Sequence, residues 1–339
     1  MNKPLRIILL SLGAVLFAYL IYEAGPGEIA RDLAVLGPWL PVVLIPYALS
    51  YSLDTLGWRA TLGAYKKALG FGALFLTRLA GEAVNNLTPS AYLGGEPLKA
   101  YLLKKAKVPL ADGFASVIIA KTAITMAHML FVLLGIVLAY TRLAGEKGLL
   151  ASTLVVAAFF IVIVVLAGWI QRRGLFDSLS RLLTWLHVPT HFLKKRETEL
   201  NAIDRTIRRF YREDKMHLVL SVGFYFLGWI AGAFEVYLLL LLIRHPVGVG
   251  DALAIEALVS LIRAALFFLP AGLGAQEGGN LFLFYLFGLP KEAAMTYSIL
   301  RRLRELILIG TGLTVLTQNE LKPKIFEEVE VPLDVPGEN

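Results

Sequence analysis

The sequence contains no cysteine, which removes disulfides, thiolate metal sites and thiol nucleophiles from consideration. Charge is also scarce, at 17% of residues against the roughly 25% usual in soluble domains, while 57% of the chain is hydrophobic. The sequence lacks a histidine pair at metal-ligand spacing, a glycine loop followed by Lys-Ser or Lys-Thr, and a serine elbow. No catalytic residue, metal or cofactor is therefore assigned, and the expectation is a protein that is not an enzyme. Composition excludes an ordinary water-soluble domain. A hydrocarbon core of about 30 Å takes about 20 helical residues per crossing, so the chain has room for roughly six to nine crossings and no large soluble domain. The net charge of +7 does not point to nucleic acid in so apolar a chain, because positive residues there mark the cytoplasmic side.

Apolar runs of spanning length occupy Leu5–Tyr22, Pro38–Leu56, Leu110–Tyr140, Leu149–Ile170, Leu218–Ile243 and Ala293–Thr317. Lys3 and Arg6 stand at the start of the first and place the N-terminus in the cytoplasm of a bacterial inner membrane. The segment 171–215 is the largest polar stretch and is rich in arginine, including Arg172, Arg173, Arg205, Arg208, Arg209 and Arg212. Within it Leu175, Phe176, Leu179, Leu182, Leu183 and Leu186 recur at helical spacing opposite Asp177, Ser178 and Arg181, the pattern of a helix lying in the interface. The chain thus divides into a membrane half at 1–170, a basic cytoplasmic segment at 171–215, a second membrane half at 216–319 and an acidic, proline-containing tail at 320–339 that reads as disordered.

Two apolar stretches are broken rather than continuous. Phe71 to Lys105 is interrupted by Asn85, Asn86, Pro89, Gly94 and Gly95, and Asp251 to Gly288 by Pro270, Gly272, Gly274, Gly278 and Gly279. In each, a glutamate falls seven residues after the proline: Glu96 after Pro89, Glu277 after Pro270. Proline and glycine clusters stop helices, and open backbone at membrane depth survives only where protein or water covers it. The fold class expected is an all-α polytopic membrane protein with about six full spans plus two re-entrant broken-helix elements in an inverted repeat, a binding site lying between them.

The few charges sit where lipid is expected. Arg78, Glu82 and Asn85 share one helix face, as do Glu256, Ser260 and Arg263, and Lys121, Thr125 and His128 form a third stripe. Arg301, Arg302, Arg304 and Glu305 lie inside the last span, and Glu235 lies among Gly228 and Gly232. An ionisable group at this depth costs roughly 2.5–3.5 kcal/mol on insertion scales, so it faces the interior and has a partner. Guanidinium groups suit an anionic headgroup; equally, these arginines can pair with Glu235, Glu256, Glu277 or Glu305 as structural ion pairs.

With its first-half "GEAVNNLTPSAYLGGEPLKAYLL" and second-half "LPAGLGAQEGG" followed by "SILRRLRELILIGTGL", the chain resembles the flippase-like family named after the transmembrane region of lysylphosphatidylglycerol synthases. It is most similar to members associated with hopanoid biosynthesis. The resemblance implies movement of a lipid between leaflets. It carries over motif positions at Asn85, Pro89, Gly94, Gly95 and Glu96, at Arg263, Pro270, Gly274, Gln276, Glu277 and Gly278, and at Arg301, Arg302 and Glu305. No residues remain for the soluble aminoacyl-transferase domain of the bifunctional synthases. The reading is a lipid translocase for a polar or anionic headgroup, a hopanoid or an aminoacylated phospholipid being candidates. Its path would be lined by Arg78, Glu82, Asn85, Glu96, Lys121, Glu256, Arg263, Glu277, Arg301, Arg302, Arg304 and Glu305. Membrane lipids are the expected partners; lipid-biosynthesis enzymes and a second copy of the chain stay open. Two rivals remain, a membrane-embedded transferase acting on a lipid carrier and a non-transporting scaffold.

Overall fold

A computed structural model describes residues 15, 18–67, 69–87, 94–144, 147–185, 196–266 and 274–321. Apart from two short 3-10 turns the elements are α-helices, and no strand occurs among the described residues. In chain order they are α1 (Pro26–Leu36), α2 (Leu40–Ala60), α3 (Phe71–Leu87), α4 (Glu96–Lys105), α5 (Leu110–Leu138), α6 (Tyr140–Ala144) and α7 (Lys147–Arg173). Then follow α8 (Leu175–Trp185), α9 (Glu197–Glu213), α10 (Lys215–Leu242), α11 (Val249–Ala265), α12 (Ala275–Leu286) and α13 (Lys291–Leu321).

Four stretches are long and apolar enough to cross a membrane: Pro26–Ala60, Leu110–Leu138, Leu150–Arg173 and Lys215–Leu242. They coincide with four of the six runs read from the sequence, and they support a multi-pass membrane protein. Leu5–Tyr22 lies mostly outside the described residues, although 18–24 are helical. The last expected span is one continuous helix, α13, but its charged cluster keeps it out of the apolar class. Between the runs that end at Tyr140 and begin at Leu149 lies a single short helix, α6. Pro46 sits inside α2, a position membrane helices tolerate because neighbouring groups re-satisfy the freed carbonyl.

The chain forms two compact units. The first comprises 1–51, 128–159 and 226–308, and the second 52–127, 160–225 and 309–339. Helices α2, α5, α7, α10 and α13 each contribute residues to both. In the first unit Phe131, Ala233 and Ala257 are buried with Phe226, Trp229, Ile230 and Leu253 around them. A Cβ on Gly135 would stand 2.2 Å from the Ala257 Cβ, so glycine is what lets α5 and α11 approach so closely. In the second unit Ile203, Ile207, Phe210 and Tyr211 of α9 pack on Ala115 and Ile119 of α5. Each such large apolar side chain contributes about 1.5–3 kcal/mol on burial, which fixes the polar helix α9 to a span. Half of the apolar window of α5 is buried by protein but only 11% of that of α7 and 17% of that of Pro26–Ala60, so these two stretches are the least covered by the rest of the protein.

Both interrupted stretches become pairs of packed helices, α3 with α4 and α11 with α12. Gly94 and Gly95 form the turn into α4, and Gly274, at φ 77, precedes α12. Pro89, Pro270 and Gly272 lie outside the described residues. The stretch anticipated to be helical from Leu175 onward is the amphipathic helix α8, with Leu186 outside the described residues. The tail from 322 lies outside the described residues.

Candidate functional site

Among the described residues each unit holds a cluster of buried charges, and each cluster takes members from one of the two broken helix pairs. In the second unit Arg78 on α3 donates to Asp54 on α2 at 2.7 Å. One turn further along α3, Glu82 accepts from Lys99 of α4 at 2.7 Å. Lys99 also lies 3.2 Å from Glu96, which in turn pairs with Lys121 of α5 at 3.3 Å. Asn85 joins the helices: its amide donates to Glu82 and Glu96 at 3.3 Å each, and its Oδ1 accepts the Gly95 backbone N–H at 2.7 Å. The i, i+4, i+7 spacing of Arg78, Glu82 and Asn85 puts all three on one face of α3, where Glu82 and Asn85 meet α4 and Arg78 meets α2.

Three cations thus face three carboxylates, and two members are nearly sealed, Arg78 at 7% and Lys99 at 6% exposure. Charges so buried are tolerated only with full pairing, since removing one partner strands the other at a cost of about 3–5 kcal/mol. Lys121 is different: its side chain remains 37% exposed. It borders a small cavity of roughly 40 Å³ lined by Arg78, Glu82, Glu96 and Lys99 together with Trp58 and Tyr225. Gly95 makes this geometry possible, because a Cβ there would stand 1.9 Å from the Gly81 carbonyl oxygen.

The cluster of the first unit is built on α13. Arg301 grips Glu256 of α11 with two nitrogens, at 3.1 and 3.3 Å, and the Tyr297 hydroxyl donates to the same carboxylate at 2.8 Å. Arg302 donates through Nε and Nη2 to Glu277 at 3.0 and 2.8 Å and through Nη1 to Glu305 at 3.2 Å. Arg304 pairs with Glu235 of α10 and lies over the Tyr47 ring, 3.9 Å from its centroid. Glu277 also accepts the Gly274 N–H at 2.7 Å, tying back the first turn of its own helix. His128 Nε2 lies 2.8 Å from Ser260 Oγ, whose proton goes to the Ala257 carbonyl; Nε2 is therefore the donor. The imidazole stacks on Trp229 at 4.4 Å.

The sequence-derived residues therefore fall into two groups. Arg78, Glu82, Asn85, Glu96 and Lys121 come together in the second unit, and Glu256, Glu277, Arg301, Arg302, Arg304 and Glu305 in the first. Arg263 belongs to the first unit, on the last turn of α11. The stripe read along α5 divides, with Lys121 in the second cluster and His128 in the first unit. Sequence reasoning passed over Asp54, Lys99 and Tyr297. Asp54 was legible as a carboxylate inside an apolar run, and Lys99 as the residue one turn after Glu96. Tyr297 carried no such signal. The two glutamates that share a spacing also play unlike parts. Glu277 closes the break before its own helix, whereas Asn85 does so for α4 and leaves Glu96 to the lysines. No group of three or more histidine or carboxylate side chains able to hold a metal occurs among the described residues.

Comparison with known proteins gives a consistent lineage. The family profile described as the lysylphosphatidylglycerol synthase TM region matches residues 6–311. A UPF0104 membrane protein of Methanothermobacter thermautotrophicus is 28% identical over 310 residues, covering 87% of this chain and 90% of the relative. A second from that organism is 29% identical over 90% of this chain and 91% of its own length, and one from Pyrococcus horikoshii is 25% identical over 88% and 92%. These relatives are archaeal and carry no hopanoid association in their names, so they leave the bacterial and hopanoid expectations without support. No solved structure matches the chain.

Proposed function

Because the chain belongs to the family of the lysylphosphatidylglycerol synthase transmembrane region, we propose that it is a lipid translocase. It carries lipids with polar or anionic headgroups between the leaflets of the cytoplasmic membrane, and it is not an enzyme. The barrier to flip-flop is desolvation of the headgroup, and a polar path through protein lowers it. The observation that carries the reading is the cavity beside α3 and α4, where Lys121 stands half exposed at the edge of an otherwise sealed ion network. A phosphate or other anion reaching Lys121 exchanges water for a charge-assisted hydrogen bond. The cluster on α13 offers a second set of fixed guanidinium groups.

In this reading the α3–α4 and α11–α12 pairs are re-entrant elements, and their shared Pro-to-Glu interval is what an inverted repeat leaves in a sequence. The chain has its N-terminus in the cytoplasm and six full spans, and a hopanoid or an aminoacylated phospholipid is a candidate cargo. Mass spectrometry of lipids that copurify with the detergent-solubilised protein tests the substrate class. The expected result is enrichment of one polar-headgroup lipid over the bulk membrane, reduced by Lys121→Gln. A copurified pool matching bulk composition contradicts it, and a new lipid product formed by the purified protein favours the transferase.

A further inference from the structure

A different site is marked where the span α7 ends. Its apolar run closes at Arg172 and Arg173, and the Arg173 guanidinium lies 3.9 Å from the ring centroid of Trp169, which is 51% exposed. A tryptophan at the end of a span with an arginine folded over it marks the headgroup level of a bilayer. The chain then turns at Gly174, at φ 115, into α8, an amphipathic helix whose Leu179 and Trp185 are exposed, as in a helix bedded in the interface. Helix α8 is not loose. Asp204 of α9, fully buried, accepts the backbone N–H groups of Leu175, Phe176 and Asp177 at 2.9–3.2 Å. This places α9 against α8 at the same level.

On α9, Thr198, Asn201, Arg205 and Arg208 line an open depression of roughly 390 Å³. Spacings of 3, 4 and 3 residues keep all four near one helix face. Arg208 is fixed in place, donating to the Arg173 carbonyl at 3.2 Å and lying 3.5 Å from Asp177. Arg205 is exposed, and among the described residues no carboxylate lies in ion-pair contact with it. The depression thus combines two guanidinium groups, a hydroxyl and an amide, all suited to phosphate oxygens, beside a helix that sits among acyl chains. We propose that this face of α9 binds the headgroup of an anionic phospholipid standing in the adjacent leaflet, a site separate from the translocation clusters and independent of whether the protein translocates. The bilayer rather than free phosphate is the source, because Trp169, Leu179 and Trp185 bring the depression to the depth where lipid phosphates lie.

Native mass spectrometry of the full chain in detergent tests it, with palmitoyl-oleoyl phosphatidylglycerol and the matching phosphatidylcholine as probes. The expected result is retention of phosphatidylglycerol in preference to phosphatidylcholine, weakened about fivefold by Arg205→Gln, since one basic residue near an anionic surface contributes about that factor. Arg212→Gln, which removes an equal charge from α9 at a position paired with Glu213, leaves retention unchanged, and millimolar inorganic phosphate does not displace the lipid. Equal loss in both variants, absence of headgroup preference, or displacement by phosphate each overturns the proposal. Arg205 stands exposed on α9, so an unchanged melting temperature separates a lost site from a lost fold.

Discussion

Replacing Arg301 by methionine is the perturbation whose outcome the structure defines most closely. Glu256 and Arg301 are 6% and 7% exposed, and the carboxylate takes two hydrogen bonds from the guanidinium and one from the Tyr297 hydroxyl. Arg301→Met removes two of these three and leaves a buried carboxylate supported by a single neutral donor. Stranding one partner of a buried pair costs about 3–5 kcal/mol. Adding Glu256→Gln removes the stranded charge while keeping an acceptor for Tyr297, so the double variant is expected to recover all but about 1–2 kcal/mol, as neutral replacements of buried pairs do. Unfolding of the reconstituted protein, followed by tryptophan fluorescence, measures the cycle. A cost below about 1 kcal/mol for the single variant would mean a solvated pair and would refute the reasoning. Lipid exchange by the double variant adds the functional half: stability regained with exchange still impaired is the result expected if the cluster serves headgroup passage as well as packing.

Gly95→Ala drives a methyl into the Gly81 carbonyl and is expected to destabilise by about 1–3 kcal/mol through forced separation of α3 and α4, whereas Gly278→Ala, whose Cβ meets nothing within 4 Å, is expected to be close to neutral in the same unfolding assay. Asp204→Ala removes the cap of α8, and amide exchange at Leu175, Phe176 and Asp177 is expected to accelerate while α5 stays protected; unchanged exchange there would mean the cap is dispensable. Burial, with the Asp112 carboxylate second, pushes the Tyr65 hydroxyl up to about 12. The difference titration between wild type and Tyr65→Phe is therefore expected to show one phenolate forming near that pH, and a midpoint near the ordinary tyrosine value would contradict the burial. Lys121→Gln leaves Glu96 with Lys99 and Asn85 as partners, so lipid exchange is expected to fall with little change in stability.

Long apolar runs are the part of this fold that sequence exposes best, because spanning length and the absence of charge are local properties; α5, α7 and α10 follow the runs read from composition alone. The amphipathic helix α8 was also legible, its leucines repeating at helical spacing. The ends of α13 were legible too, and so was the set of glutamates its arginines could pair with, but not which arginine takes which. Arg301, Arg302 and Arg304 in fact take Glu256, Glu277 and Glu235 as partners on three different helices. Such pairing is set by which elements pack together, information absent from any single stretch. Asp54 was legible as a carboxylate inside an apolar run, but its partner Arg78 is on another helix, so the pair itself was not. The division of the α5 stripe, with Lys121 facing Glu96 and His128 facing Ser260, likewise depends on neighbours that periodicity along one helix does not reveal. The glycine-to-glutamate breaks showed where helices stop, but not that Asn85 and Glu277 would each close a break by accepting a glycine N–H.

Leaflet exchange of a fluorescent headgroup-labelled phospholipid in proteoliposomes, read by quenching from outside with a membrane-impermeant reductant, tests the translocase claim most directly. Wild-type protein is expected to expose the inner-leaflet pool far faster than protein-free liposomes, and Lys121→Gln and the Arg301→Met/Glu256→Gln pair to slow that exposure. Exchange no faster than in protein-free liposomes, with the folded protein present and with every lipid class of the source membrane tried, would contradict it.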